Sequence, residues 1–135
     1  MDKFLGKWKM LPERSKIEHE PQKKDNIYTI QQVRSNLMMI HSEWHTVDNK
    51  TGFLGYTIHP DGIPREASDG DWKYVTKVRG HNMMTTSKIK DDQIKALEIR
   101  EVLESGELKV TQIEIDESGQ QVKSTIFYRK VDSTG

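Results

Sequence analysis

The feature that most constrains the fold of this chain is a series of short segments in which apolar and polar residues alternate. Turns rich in Gly, Asp and Asn separate about nine such segments: 5–11, 26–34, 37–47, 52–59, 71–79, 82–90, 93–103, 107–115 and 121–131. A period of two residues is typical of a half-buried β-strand, and short connectors favour antiparallel neighbours. The sequence therefore predicts an all-β, up-and-down meander, closed into a barrel because closure removes both sheet edges.

The connections between the segments carry residues that tolerate tight turns. Asp91-Asp92 and Asp69-Gly70 are examples. We predict long loops at 12–25, which contains prolines and no apolar stripe, and at 60–70, which contains two prolines and two Asp-Gly pairs. The alternation changes phase between Val110 and Thr111, which predicts a β-bulge.

The composition excludes several classes of function. The 135 residues fit one domain, predicted over 1–131 with a disordered tail at 132–135. Lys+Arg (21) balance Asp+Glu (21), so no single-sign field would attract nucleic acid. The chain has no cysteine, which excludes disulfides and Cys-ligated zinc. It has no apolar stretch of signal-peptide or membrane-spanning length, so we expect a soluble, cytoplasmic protein. The mean hydropathy of -0.80 fits a barrel that is polar outside and partly polar inside.

Where the alternation is clean, it assigns side chains to faces. Three sets are predicted to point inward: Met38, Ile40, Ser42 and Trp44; Trp72, Tyr74, Thr76 and Val78; and Leu97, Ile99, Glu101 and Leu103. Each set contains a polar member, which would be costly in a dry core but is ordinary around a cavity that holds water or a ligand.

The opening Gly6-Lys7-Trp8-Lys9-Met10 resembles the Gly-x-Trp start of the calycin barrels, which include lipocalins and intracellular fatty-acid-binding proteins. The continuation through Arg14-Ser15-Lys16 is similar to that of small bacterial lipocalin-like domains, and the likeness extends loosely to the closing Phe127-Tyr128-Arg129-Lys130-Val131. The resemblance implies an antiparallel barrel of about eight to ten strands. It further implies that Trp8 plugs one end and that the other end is open to a small apolar or amphipathic molecule.

This sequence departs from the family at two places. Fatty-acid-binding proteins insert two helices after the first strand, whereas 12–25 is bounded by prolines and unpatterned. Their last strand carries an Arg-x-Tyr pair that holds the ligand carboxylate; Tyr128 matches the tyrosine, but Ile126 stands at the arginine position. Lipocalins often pack a late Arg over the Gly-x-Trp indole, and the resemblance implies Arg129 for that contact.

His41, Glu43 and His45 follow one another at every second position and invite a metal site. On a strand, however, His41 and His45 lie about 13 Å apart, too far to share one ion. We therefore predict an exposed polar face, no metal site and no cofactor. Motifs for nucleophilic serine, phosphate or dinucleotide chemistry are absent from the sequence, so it does not indicate an enzyme.

The favoured hypothesis is a barrel that binds a small hydrophobic or amphipathic ligand, as a monomer or a weak homodimer. The predicted ligand contacts, among which Ser42, Glu101 and Gln112 are polar anchors, are Met38, Ile40, Ser42, Trp44, Tyr56, Trp72, Tyr74, Met84, Leu97, Ile99, Glu101, Gln112 and Tyr128.

Two alternatives remain open at this stage. A filled barrel could serve as a protein-interaction module, which predicts a small interior and an exposed apolar patch around Phe53 and Leu54. A calycin-fold enzyme could use Glu101 as an abnormal interior carboxylate, paired with a histidine such as His59.

Overall fold

One antiparallel sheet of ten strands dominates the computed structural model, which describes residues 2–19, 22–67 and 70–131. Two short 3₁₀-helices, Asp2–Phe4 and Pro12–Arg14, precede and follow the first strand. The strands are β1 (Gly6–Met10), β2 (Lys23–Arg34), β3 (Leu37–Thr46), β4 (Thr51–Ile58), β5 (Arg65–Glu66), β6 (Lys73–Arg79), β7 (Met83–Lys90), β8 (Gln93–Val102), β9 (Leu108–Ile115) and β10 (Gln121–Lys130).

The nine predicted segments correspond to nine of these strands, and their ends differ by up to three residues. The additional strand, β5, lies inside the predicted 60–70 loop. The other predicted loop shortens, because β2 begins at Lys23. Pro21, Asp69 and the predicted tail 132–135 lie outside the described residues.

The strand order is β4-β3-β2-β1-β10-β9-β8-β7-β6-β5, and every neighbouring pair is antiparallel. The predicted all-β meander is thus confirmed. Among the described strands, β4 and β5 are the two edges, so the hydrogen-bonded ladder stops at a seam between them. The loop after β4 crosses this seam, where the Gly62 N–H donates to the Thr76 carbonyl oxygen at 2.8 Å.

The predicted bulge at Val110 and Thr111 is wrong. Both residues pair in unbroken register with β8 and β10. The phase changes because the inner face of β9 turns from apolar Leu108 and Val110 to polar Gln112, at the level where the interior becomes a cavity. Elsewhere the prediction of tight turns is confirmed, since Asp91 and Asp92 have φ of 53° and 60°, as a two-residue type I′ hairpin requires.

A compact apolar core fills one end of the barrel. Trp8 lies within it, 1% exposed, and its Nε1–H donates to the Phe4 carbonyl oxygen at 2.9 Å. The cluster consists of Phe4, Trp8, Met10, Tyr28, Ile30, Met38, Ile40, Ile58, Met84, Leu108, Val110, Ile126 and Tyr128. We refer to this end as the sealed end.

The cation over the Trp8 indole is Lys130 and not Arg129. Lys130 Nζ lies 5.3 Å from the ring centroid. In the β1–β10 ladder Trp8 is opposite Lys130 and Lys9 is opposite Arg129. Alternation along β10 therefore places Arg129 on the outer face, which corrects the expectation taken from the lipocalin resemblance.

Candidate ligand-binding cavity

The barrel end opposite the sealed end contains a partly open cavity of about 1070 Å³. Its wall is formed by the inner faces of strands on both sides of the seam, by the loop after β4 and by Ile17 and His19. The predicted ligand contacts that line it are Ser42, Trp44, Tyr56, Tyr74, Leu97, Gln112 and Tyr128.

The remaining predicted contacts lie elsewhere. Met38, Ile40 and Met84 are 0% exposed and pack in the core of the sealed end, beyond the cavity. Of the neighbours Met38 and Met39, only Met38 points inward, since Met39 is 40% exposed. Trp72 precedes β6 and does not line the cavity. Lys88 Nζ lies 4.5 Å from the centroid of its ring.

The inner face of β8 differs from the predicted one at Ile99 and Glu101. Glu98 lines the cavity, and Arg100 is 0% exposed and bonds to residues of β2 and β4 across the interior. Alternation consequently puts Ile99 and Glu101 on the outer face, and neither lines the cavity. The sequence misleads here because the outward Ile99 is apolar and the inward Glu98 and Arg100 are charged, the reverse of the usual strand.

A buried network built on Arg100 forms the floor of the cavity. The guanidinium Nε donates to Tyr28 Oη at 2.8 Å, Nη1 to Thr86 Oγ1 at 2.9 Å, and Nη2 to Tyr56 Oη at 2.9 Å and Glu98 Oε2 at 3.1 Å. Tyr28 and Tyr56 in turn donate to the two Glu98 carboxylate oxygens, at 3.2 and 2.9 Å. The floor is therefore polar but close to neutral, because each charge is matched inside it.

A second set of hydrogen bonds supports Tyr128 and the β2–β3 wall. The Tyr128 hydroxyl donates to Asn26 Oδ1, and Asn26 Nδ2 donates to Ser42 Oγ and to the Glu43 carbonyl oxygen, each at 2.8 Å. Tyr128 thus has a protein partner. Ile126, which stands at the arginine position of the family's Arg-x-Tyr pair, is buried in the core.

Burial raises the pKa of three tyrosines in this region. It raises the pKa of Tyr56 to about 12 and that of Tyr28 and Tyr128 above the ordinary value, because the phenolate loses its hydration. For Tyr28 and Tyr56 the Glu98 charge adds to this effect, and the Arg100 charge opposes it.

We expect alkaline solution to unfold the protein at a pH below that at which these tyrosines would ionise in the folded state. Because the folded pKa values exceed the unfolded ones, their stabilisation is complete below about pH 10 and is lost as the pH rises through the folded values. At pH values between the unfolded-state and the folded-state pKa, each tyrosine lowers the free energy of unfolding by about 1.4 kcal/mol per pH unit. Tyrosinate absorbance should rise together with loss of the far-ultraviolet circular dichroism signal. Tyr56→Phe should reduce the pH dependence, and ionisation of all three in folded protein would contradict the expectation.

Two lysine–indole pairs stand at the cavity end of the barrel. Lys23 Nζ lies 4.3 Å from the Trp44 ring centroid, and Lys88 Nζ faces Trp72. Gly52 permits the first pair, because a Cβ at that position would lie 2.5 Å from the Trp44 ring. Burial lowers the pKa of the Lys23 amine, and the Glu98 charge opposes that effect.

The segment after Pro12–Arg14 occupies the place where fatty-acid-binding proteins carry helices. Lys16 forms an isolated bridge with Thr125, and the N–H groups of Glu18 and His19 donate to Ser124 Oγ at 2.8 and 3.2 Å. His19 Nδ1 also contacts Ser124 Oγ, and Nε2 lies 3.8 Å from Glu114. This arrangement is an anchor for the cavity wall rather than a nucleophilic triad, because Ser124 is 0% exposed and its oxygen accepts two backbone bonds.

The histidines singled out for metal binding lie on the outer face of β3. His45 Nδ1 lies 2.9 Å from Asp25 Oδ1, and His41 packs beside the Phe53 ring. Within residues 2–19, 22–67 and 70–131, no group of three or more His, Cys, Asp or Glu could hold a metal ion. The same part of the chain contains no helix that is long and apolar enough to cross a membrane.

Comparisons with known proteins identify the fold. No family model and no curated protein matches the chain. Among solved structures, the fluorescent protein UnaG in its wild-type form is 20% identical, with a TM-score of 0.63 over 96% of this chain and 98% of that one. Two point mutants of UnaG give 19% and 18% identity, TM-scores of 0.63 and 0.62, and cover 98% and 96% of this chain and 99% and 97% of their own. The likeness spans the whole barrel, so the chain has the calycin fold, in the form shared with fatty-acid-binding proteins.

Proposed function

We propose that this protein binds a small hydrophobic or amphipathic molecule inside the barrel. The observation that carries the proposal is the cavity, whose volume of about 1070 Å³ suits a small ligand and is not taken up by side chains. Apolar and aromatic surfaces such as Trp44, Tyr56 and Ile113 alternate around it with Ser42 and Gln112. Such a lining suits a molecule with an apolar body and a few polar groups.

The charge distribution favours a particular orientation of the ligand. Glu98 and Arg100 neutralise each other at the floor, so the deep end lacks an unmatched cation for a carboxylate. An uncharged hydroxyl or amide could instead bond to the Tyr56 and Glu98 oxygens there. The proposed contacts are therefore Ser42, Trp44, Tyr56, Tyr74, Leu97, Gln112 and Tyr128, with Lys23, Lys88 and Glu98 added.

Blocking the cavity should abolish uptake of an apolar dye without unfolding the protein. Ala96 lines the cavity on β8, so Ala96→Trp fills space that a ligand would occupy. Wild-type protein is expected to bind an anilinonaphthalene dye and to transfer energy from Trp44 to it, whereas Ala96→Trp should weaken binding by about tenfold or more. Fluorescence titration with thermal melting of each variant makes the measurement.

Ile99→Trp is the matched control, because it adds the same ring to the outer face of the same strand. Equal dye binding by wild type and Ala96→Trp would refute binding inside the barrel. Denaturing extraction and mass spectrometry of the purified protein would identify a ligand that co-purifies with it.

An interaction module remains a second candidate because of one observation. Phe53 is 72% exposed on the outer face of the edge strand β4, whereas Leu54 of the predicted patch faces the cavity. The cavity is larger than a filled barrel predicts, so ligand binding accounts for more of the structure. The enzyme alternative loses its main support, since Glu101 lies on the outer face, away from His59 in the cavity wall.

A further inference from the structure

A β-bulge directs one lysine amine into the cavity. The β2–β3 register shifts between Lys23 and Asp25, so Lys23 faces inward, although the inward residues farther along β2 are Asn26 and Tyr28. The next residue, Lys24, is exposed and bonds to Asn49 in the turn after β3. Bulges re-aim side chains in this way next to binding sites.

Among the residues that the structure describes, the half-buried Lys23 amine has no carboxylate in ion-pair contact, unlike the guanidinium groups of Arg65 and Arg100. Arg100 is paired with Glu98, and Arg65 lies 2.6 Å from Asp61. Within the described ranges, no carboxylate oxygen lies within 4.0 Å of Lys23 Nζ, whose neighbour is the Trp44 ring.

Such an environment favours a reactive, neutral amine. Burial lowers the Lys23 pKa, which increases the fraction of amine that carries a free electron pair. Desolvation of a lysine in a pocket is a recognised way of activating it toward carbonyl groups. The Glu98 charge opposes this shift of the pKa, and together with the Trp44 face it would stabilise the iminium form of an adduct at this nitrogen.

We propose that Lys23 forms an imine with an aldehyde group of the ligand. The Nζ electron pair attacks the aldehyde carbon to give a carbinolamine, and a C=N bond then replaces the C–OH bond. The aldehyde oxygen leaves as water with the two protons that the neutral amine carried, so no oxidant or reductant is needed. This inference rests on the proposed function, because the aldehyde must first enter the cavity.

Reductive trapping tests the proposal. The folded protein is incubated with 6-methoxy-2-naphthaldehyde and sodium cyanoborohydride, and the adduct is located by intact mass and peptide mapping. One adduct is expected per chain, at Lys23, formed about tenfold faster than at Lys24. Lys23→Arg should remove this adduct, whereas the matched control Lys24→Arg should keep it.

Dye displacement by the same aldehyde without reductant separates the two proposals. Displacement with adducts spread over surface lysines, or located at Lys88, would overturn the role of Lys23 and leave ligand binding intact. Failure of both dye and aldehyde to enter would refute the proposed function itself. Peptide mapping of the wild type decides the site even where Lys23→Arg folds poorly.

Discussion

Glu98→Leu is expected to lower the free energy of unfolding by about 3–5 kcal/mol, measured by chemical denaturation. The substitution removes the only carboxylate paired with Arg100 among the described residues and leaves a fully buried guanidinium whose charge is unmatched. Tyr28 and Tyr56 also lose the acceptor of their hydroxyl protons. Both effects act on the folded state. The denaturant concentration at the unfolding midpoint should therefore fall, and the dependence of the unfolding free energy on denaturant concentration should change little.

Glu101→Leu is the matched control for this prediction. It makes the same chemical change three residues farther along β8, on the outer face, and should alter stability by no more than about 0.5 kcal/mol. The double variant Glu98→Leu/Arg100→Met should recover part of the loss, because it removes both buried charges. Equal effects of the two single variants would contradict the assignment of faces on β8.

Strand positions could be predicted from the sequence because local chemistry determines them. Two-residue alternation and turn residues such as Asp91-Asp92 act over a few neighbouring positions, and each of the nine predicted segments became a strand. The inner faces of β3 and β6 were predictable for the same reason, since Ser42, Trp44 and Tyr74 line the cavity.

The floor of the cavity depends on contacts that local pattern does not contain. Arg100 points inward because Tyr28 and Tyr56 accept its hydrogen bonds, and these partners lie 72 and 44 residues away in sequence. Single-strand hydropathy therefore assigned Ile99 and Glu101 to the interior. A Glu and an Arg two residues apart share one face of a strand and can neutralise each other, and this spacing is the signal that could have indicated a buried pair.

The orientation of Lys23 was beyond prediction for a different reason. A bulge changes the face of one residue without altering the composition around it, and alternation alone would place Lys24 on the inner face with Asn26 and would place Lys23 on the outer one. The cation above Trp8 likewise depends on the β1–β10 register, which places Lys130 and not Arg129 opposite the indole.

Trp8→Ala should have the second large effect, about 3–5 kcal/mol less stability, because it removes a fully buried indole from the core of the sealed end. The matched control is Trp72→Ala, which removes an indole at the cavity end that is only half-buried. Its two lysine contacts, 4.5 and 5.1 Å from the ring centroid, predict a cost of about 1 kcal/mol or less. Chemical denaturation of both variants measures the difference.

The same pair of variants separates stability from binding. At denaturant concentrations below its unfolding midpoint, Trp8→Ala should still bind the anilinonaphthalene dye. The core of the sealed end lies beyond the Arg100 floor, and Trp8 does not line the cavity. Trp72→Ala should stay folded and change dye affinity instead, since Lys88, which packs on its ring, lines the cavity. Loss of dye binding in folded Trp8→Ala would mean that the two ends act as one unit. Unchanged dye binding by folded Trp8→Ala, together with altered dye affinity of folded Trp72→Ala, would locate stability at the sealed end of the barrel and ligand recognition at the cavity end.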